Sequence, residues 1–411
     1  MLGADYAYFL YLIRGGEAFH KGKTTDFSTV GAVARDPRTL VVTITHPAPY
    51  FLQILLNSPW RPVHVRSIAA IGNPYLRNTK WTRPGLLVSS GPFVLKEWTL
   101  NQRVVVEKSP TYWDRAKVRL NAIHFYPIDN IDAEERAFRA GQLHMTWALP
   151  LSKVLPLQRE KSPSFRIDNL LETYFFRFNV RKAPFGDVRI RRALSLAVDR
   201  DTIAHKILPG GRLPATTFVP ALPVGYTPPV RRAYDLAAAR QLLTEAGHPG
   251  GAGLPPIEIL YNNSEILRLV GEAVQEMWRR ELGLDVRLAN QEKKVVFANR
   301  SAGDYQVLLG SWTADYLDAT TYLDMWRADS GNNHTGWSDP AYDALSNRAN
   351  TIADPVARAA VLQQAETLLL DAAPIVPIYF NTHVYLLHPA VQGYQPTSME
   401  HTEYRHVWLQ P

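Results

Sequence analysis

The residues of this chain best suited to chemistry lie in the stretch GSWTADYLDATTYLDMW, Gly310 to Trp326, which follows the apolar run YQVLL. Asp315 and Asp318 are close in sequence and surrounded by aromatics, the composition of a glycosidase carboxylate pair, but no third group is placed to tune one of them. Asp315 alone has two further readings. It can cap the helix that follows, or it can receive a positively charged ligand beside Trp312.

Other constellations are weaker. The 12 histidines are scattered without metal-ligand spacing, and the nearest approach is His124 with Asp129 in NAIHFYPIDN, so no metal site is expected. The absence of cysteine removes disulfides, thiolate nucleophiles and Cys-bound zinc. In DNIDAEERAFRAGQ, the acids Asp129, Asp132, Glu134 and Glu135 sit where acids favour the start of a helix. The glycine-rich GHPGGAGLPP, Gly247 to Pro256, leaves a helix and enters a strand, the reverse of the order that aims N–H groups at phosphate. No cofactor and no catalysis are expected.

The elements that must position Trp312 and Asp315 are legible from hydrophobic period. A strand over Ile257–Tyr261 is followed by Ser264 as N-cap and by apolar residues at helical spacing from Ile266 to Trp278. Gly283 then ends the helix and a second strand covers Val286–Ala289, which together make a βαβ unit. The next strand is YQVLLG, so Trp312 and Asp315 are expected just beyond its carboxyl end, where open α/β sheets bind ligands. Asp339-Pro340 and Asp354-Pro355 announce two more helices, and IVPIYF a late strand. Earlier, Phe93–Trp98 and Arg103–Glu107 alternate as an antiparallel pair turning at Asn101 and Gln102. A strand over Leu40–Thr45 and a short helix from Tyr50 flank Pro47 and Pro49.

With 411 residues, 46% of them hydrophobic and 20% charged, the chain exceeds one core and two or three domains are expected. The net charge of +7 is dispersed along amphipathic helices without a like-charge run, which argues against nucleic acid. The apolar run Tyr6–Ile13 is too short to span a bilayer and lacks a basic leader, so it reads as neither anchor nor export signal.

Seven segments resemble, in order, the extracytoplasmic oligopeptide-binding proteins of ABC importers. They are SSGPFVLKEW, VVEKSPTYWD, APFGDVRIRRALSLAVDRDTI, YDLAAARQLLTEAG, GDYQVLLGSWTADYLDATTYLDMW, NNHTGWSDPAYDAL and IVPIYFNTHVYLLHP. The resemblance implies an α/β, type II periplasmic-binding-protein fold, with two lobes hinged around a buried ligand and an extra domain on the first. Residues 1–68 would be the remainder of that extra domain, 69–172 and 382–411 the first lobe, and 173–381 the second. The opening residues resemble the middle of the extra domain, so the fold is expected to be N-terminally incomplete by about 100 residues, with Tyr6–Ile13 left as exposed apolar surface.

The resemblance also implies an oligopeptide ligand, the membrane permease subunits of an ABC importer as partners, a monomer, and a periplasmic or extracytoplasmic location for the full-length form. A carrier for a different solute of the same family, or a hydrolase using Asp315 and Asp318, is the alternative. Trp312 and Asp315 match the motif in which the aspartate pairs with the peptide α-ammonium group, while the neighbouring backbone at Gly310 and Ser311 hydrogen-bonds the peptide as an added strand. Lys293 stands where many relatives have tryptophan and Leu309 where some have arginine, while Arg300 is kept. Arg300, Lys293 and Arg177 are the candidate partners for a ligand carboxylate. Asp318 has no assigned ligand role, and Asp318→Asn is expected to be near neutral for peptide binding.

Overall fold

The computed structural model describes residues 6–73, 76, 79–231 and 234–410. Chain contacts divide it into two compact units, one of residues 1–46, 51–168 and 384–411, the other of residues 47–50 and 169–383. No described helix is long and apolar enough to cross a membrane.

In the first unit, β1 (Ala32–Asp36) and β2 (Thr39–Val42) form an antiparallel pair, and β3 (Phe93–Thr99), β4 (Arg103–Lys108) and β5 (Ala122–Phe125) an antiparallel sheet. Asn101 turns β3 into β4 at φ 58°, a left-handed conformation that asparagine tolerates better than most residues. Five helices, α1 (Gly16–His20), α2 (Phe51–Ile54), α3 (Val65–Ile71), α4 (Ile131–Arg139) and α5 (Leu151–Arg159), complete this part of the chain. The run Tyr6–Ile13 does not present an apolar face as expected. Ala7–Leu10 winds into a 3-10 turn, and Phe9, Leu12 and Ile13 are buried, with Ile13 bridged to Ile44.

Of the acids at the start of α4, Asp132 and Glu134 lie in its first turn as expected. Asn130 is the N-cap, accepting from the Ala133 N–H at 2.8 Å. Glu134 and Glu135 are buried; Glu134 accepts the backbone N–H of Trp147 and Glu135 pairs with Arg139. Glu134 thus staples the helix to later chain, a long-range contact that local sequence does not announce, whereas the Glu135 pair stays within α4.

The second unit is built on a six-stranded mixed sheet in the order β7-β11-β6-β10-β8-β9. Its strands are β6 (Phe165–Phe178), β7 (Leu213–Pro214), β8 (Ile257–Asn262), β9 (Val286–Gln291), β10 (Val307–Thr313) and β11 (Ile375–Leu386). The division between the two units falls inside β6 and inside β11. Helices α6 (Val188–Leu196), α7 (Leu236–Glu245), α8 (Glu265–Leu282), α9 (Lys293–Ala302), α10 (Thr320–Leu323), α11 (Pro340–Ala349) and α12 (Pro355–Ala372) follow in order. The βαβ unit is β8-α8-β9, with parallel strands, Ser264 accepting from the Leu267 N–H, and Gly283 closing the helix at φ 70°. Asp339 and Asp354 cap α11 and α12.

The core of this unit is aromatic. Phe175, Phe176, Phe178, Phe218, Trp278, Tyr322 and Trp326 are all buried, and edge-to-face contacts link Phe218 with Phe175, Tyr322 and Trp326. Such rings contribute more than their area alone and resist deformation, which fixes β6 relative to α10. The C-terminus of α12 is held by buried Arg191, whose guanidinium donates to the carbonyls of Ala372 and Ala373 and of Phe185.

Candidate functional site

Strand β10 organises the site. It pairs antiparallel with β6 along its whole length, from Val307↔Phe178 to Thr313↔Glu172. On its other side it pairs in parallel with β8 only at Val307 and Leu308. From Leu309 to Thr313 that second side has no strand partner among the described residues, so the ladder groups directed there are open to an added chain. Trp312 belongs to this strand and does not lie beyond it, a correction to the expectation that the strand stops at Gly310. Pairing with Tyr174, Thr173 and Glu172 carries the extended conformation three residues past the glycine.

Directly opposed residues in an antiparallel pair share a face. Leu308, Gly310 and Trp312 therefore lie on the same face as Arg177, Phe175 and Thr173. A Cβ added to Gly310 would meet nothing within 4 Å, so the face is open at mid-strand.

Beyond β10 the chain turns through a loop latched by Thr321. The Trp312 indole Nε1 donates to the Thr321 carbonyl at 2.9 Å, and the Asp315 N–H donates to Thr321 Oγ1 at 2.9 Å. Asp315 is half-buried. It is not the N-cap of α10, a position held by Ala319; the carboxylate that accepts the Thr320 N–H is that of Asp318, at 3.0 Å.

Asp318 is the buried half of an ion pair. Its two oxygens accept from Arg358 Nη1 and Nη2 at 2.7 and 2.9 Å, and Arg358 in turn lies over the ring of Tyr50, which stacks on Tyr316 at 4.9 Å. Asp318→Asn, expected to be near neutral for peptide binding, therefore strands a buried guanidinium and carries a stability cost that the sequence did not announce. The same bidentate pairing engages both oxygens of Asp318, the second carboxylate of the hydrolase alternative.

A cavity of about 310 Å³ opens beside the free side of β10. It is lined by Leu308, Leu309, Gly310 and Ser311 of β10, by Arg177 and Phe175 of β6, by Asn262 and Ser264 where β8 ends, and by Lys293, Val296, Phe297 and Arg300 of α9. Helical spacing puts Lys293, Phe297 and Arg300 on one face of α9, and Val296 anchors that helix in a cluster with Leu260, Tyr305 and Leu308. The cavity thus gathers Gly310, Ser311, Lys293 and Arg300, and adds Arg177. Trp312 and Asp315 are not in its lining; they stand further along β10 and its loop.

Electrostatically the cavity is positive: Arg177, Arg300 and Lys293 face a single lining carboxylate, Glu172, whose Oε2 accepts from Asn381. Arg177 is 4% exposed and its guanidinium lies 5.3 Å from the rings of both Phe175 and Trp326. Its Nε and Nη1, and Nε of Arg300, are buried without a hydrogen-bond partner. Burial pulls Arg177 down to about 10, with Arg300 adding to the effect, so it stays a cation at neutral pH. His334 is pushed down to about 4 by burial and by the same two arginines.

Sequence reasoning identified Arg177 only as one cation among several. What it missed is that β6 carries Arg177 to the position opposite Leu308; only the paired strands reveal this. His334, Phe297 and Asn262 gave no signal at all. Among the described residues no group of three or more His, Cys, Asp or Glu side chains is placed to hold a metal ion.

The model of bacterial extracellular solute-binding proteins, family 5 Middle, matches residues 4–334. The chain is 33% identical over 397 residues to the periplasmic oligopeptide-binding protein OppA of Escherichia coli, an alignment spanning 93% of this chain and 70% of that protein. It is 34% identical over 391 residues to the probable deoxycholate-binding periplasmic protein YgiS of the same organism, spanning 93% and 71%. The crystal structure of Haemophilus influenzae OppA in complex with the peptide RPPGFSPFR superposes with a TM-score of 0.87 at 29% identity, covering 99% of this chain and 80% of that one.

Proposed function

Since this chain belongs to the bacterial extracellular solute-binding proteins of family 5 and has their type II α/β fold, we propose that it is an oligopeptide carrier that supplies the permease subunits of an ABC importer. The observation that carries the reading is the free side of β10 from Leu309 to Thr313, followed two residues later by Asp315. A peptide laid along this side extends the sheet by main-chain hydrogen bonds, which gives affinity without reading side chains. Its α-ammonium group then meets the Asp315 carboxylate. Gly310, with open space where a side chain would stand, lets the peptide approach.

The family relation also frames the rest. Residues 173–381 form the lobe that presents β10, a reading supported by the division of the chain inside β6 and β11. Residues 69–172 and 382–411 form the other lobe, and 1–68 an added domain. The carrier works outside the cytoplasmic membrane, a location supported by relatives named as periplasmic, and acts there as a monomer. It needs no covalent step: micromolar holding, about −8 kcal/mol, followed by release is the whole task.

The test is calorimetric titration of wild type and Asp315→Asn with one free and one N-acetylated alanine tripeptide. A carboxylate paired with a buried ammonium group is worth roughly 2–5 kcal/mol when one partner is removed. Asp315→Asn is therefore expected to weaken the free peptide by about 30-fold or more, at about 1.4 kcal/mol per tenfold, and to leave the weak binding of the acetylated peptide unchanged. Equal losses for both peptides would show that Asp315 supports the loop and does not read the amino terminus.

A further inference from the structure

The loop that carries Asp315 is held in part by a residue from far earlier in the chain. The N–H groups of Ala314 and Asp315 donate to the Leu171 carbonyl at 2.8 Å and to Thr321 Oγ1 at 2.9 Å. Tyr316, the next residue, is anchored through its ring. It stacks on the ring of Tyr50 with centroids 4.9 Å apart and planes at 22°, and both tyrosines are buried. The Arg358 guanidinium lies 5.5 Å from the centre of the Tyr50 ring, and the same guanidinium holds Asp318 by two hydrogen bonds. Tyr50 therefore meets Tyr316 directly and Asp318 through Arg358, so it braces the loop at two points just after Asp315.

Tyr50 arrives on a short arm. The chain enters the second unit at Pro47 and leaves it after Tyr50, in the sequence Pro-Ala-Pro-Tyr, with both prolines exposed. Proline fixes its own φ and restricts the residue before it, so the arm presents the ring with little conformational freedom left to lose. A gap in a core is filled by any apolar side chain of suitable size. A ring that faces both another ring and a cation also fixes orientation.

We propose that Tyr50 is a positioning residue for ligand recognition: by clamping Tyr316 and Arg358 it sets where the Asp315 carboxylate meets the α-ammonium group of the peptide. The assignment rests on the Asp315 reading above and extends it to a residue that acts through the loop. A charge-assisted hydrogen bond is short and directional, so a small shift of the loop weakens it. Strand addition along Leu309 to Thr313 is set by the pairing of β10 with β6 and does not depend on the arm. Loosening Tyr50 thus weakens recognition of a free amino terminus and spares the main-chain contacts.

The test is calorimetric titration of the full chain with a free and an N-acetylated alanine tripeptide, in wild type, Tyr50→Leu, Tyr50→Phe, Asp315→Asn and the double variant of Tyr50→Leu with Asp315→Asn, with urea unfolding of each. Tyr50→Leu keeps apolar bulk and removes both ring contacts. It is expected to weaken the free peptide by about fivefold or more, the worth of an aromatic pair with a cation–π contact, and the acetylated peptide by less than about twofold. Tyr50→Phe keeps the ring and should bind both peptides as wild type does. Added to Asp315→Asn, Tyr50→Leu should change the free-peptide affinity by less than about twofold, because the interaction it tunes is already gone. Equal losses for both peptides, losses that add fully to those of Asp315→Asn, or a lower urea midpoint with unchanged affinities would overturn the proposal and leave Tyr50 a core residue only. Where Tyr50→Leu does not fold, Pro47→Gly with Pro49→Gly loosens the arm and leaves every buried side chain in place; a loss of about threefold confined to the free peptide is then expected, and no such loss would overturn the proposal. The Asp315 reading is judged separately by Asp315→Asn alone. If that variant weakens both peptides equally, both readings fall; if it acts on the free peptide only while the arm variants do not, this one falls alone.

Discussion

Asp315 and Asp318 are three residues apart and sit in different surroundings. Asp318 neutralises Arg358 through two hydrogen bonds in the interior, so Asp318→Asn leaves a guanidinium buried without its countercharge and should cost about 3–5 kcal/mol, read as a fall in the urea midpoint at unchanged slope. A loss below about 1 kcal/mol would contradict the pairing. Asp315, half-buried in the loop after β10, should on the proposed reading change peptide affinity with little change in that midpoint. The residue types alone display the two aspartates as a pair of acids among aromatics, and only the family resemblance singles out Asp315. That Asp318 is a structural group depends on Arg358, 40 residues later on α12, and no local pattern connects the two. The same limit hid the pairing of Glu134 with the Trp147 backbone and the position of Arg177 opposite Leu308.

At the level of elements, the β8-α8-β9 unit and the caps of α11 and α12 were legible because each is written locally, by a serine or aspartate, a helical stripe and a glycine or proline. The end of β10 was not. The apolar run reads as a strand ending at Gly310, whereas pairing of Ser311 and Trp312 with Tyr174 and Thr173 of β6 extends it, and the open second side of the strand follows from where β8 ends. This open side yields a separable prediction. Gly310→Ala places a methyl group in empty space and in a strand interior replaces the most flexible residue, so stability should be unchanged or rise by about 0.5–1 kcal/mol. Peptide binding should weaken by about tenfold or more, because the methyl occupies the approach to the strand. Thermal melts and peptide titrations of the same sample check both halves, and unchanged affinity would place the ligand elsewhere. A second element-scale expectation concerns Arg191, which ties the end of α12 to the Phe185 backbone. Arg191→Met should destabilise by roughly 2–3 kcal/mol through several lost charge-assisted hydrogen bonds to carbonyls, measured by urea unfolding.

For the whole molecule, stability should depend on pH through a carboxyl that takes no part in binding. Glu366 is fully buried, accepts from the N–H groups of Phe218 and Val219 and from the Tyr226 hydroxyl, and is pushed up to about 7 by burial. An unfolded glutamate ionises near 4.3. Between these values the native state keeps a proton that the unfolded state has lost, so stability falls as pH rises from about 4.5 to 7 and levels off above, by on the order of 3 kcal/mol. Asp324, also raised to about 7 by burial, acts in the same direction. Glu366→Gln should therefore flatten part of the slope, and a slope unchanged in that variant would contradict the assignment. The central claim, that this molecule carries intact oligopeptides, is tested most directly by native mass spectrometry of the purified chain followed by sequencing of whatever is released on denaturation. The account predicts a set of bound masses that resolve into short peptides with free amino termini, unchanged on prolonged incubation. A single non-peptide mass, or peptides that shorten with time on the protein, would contradict it.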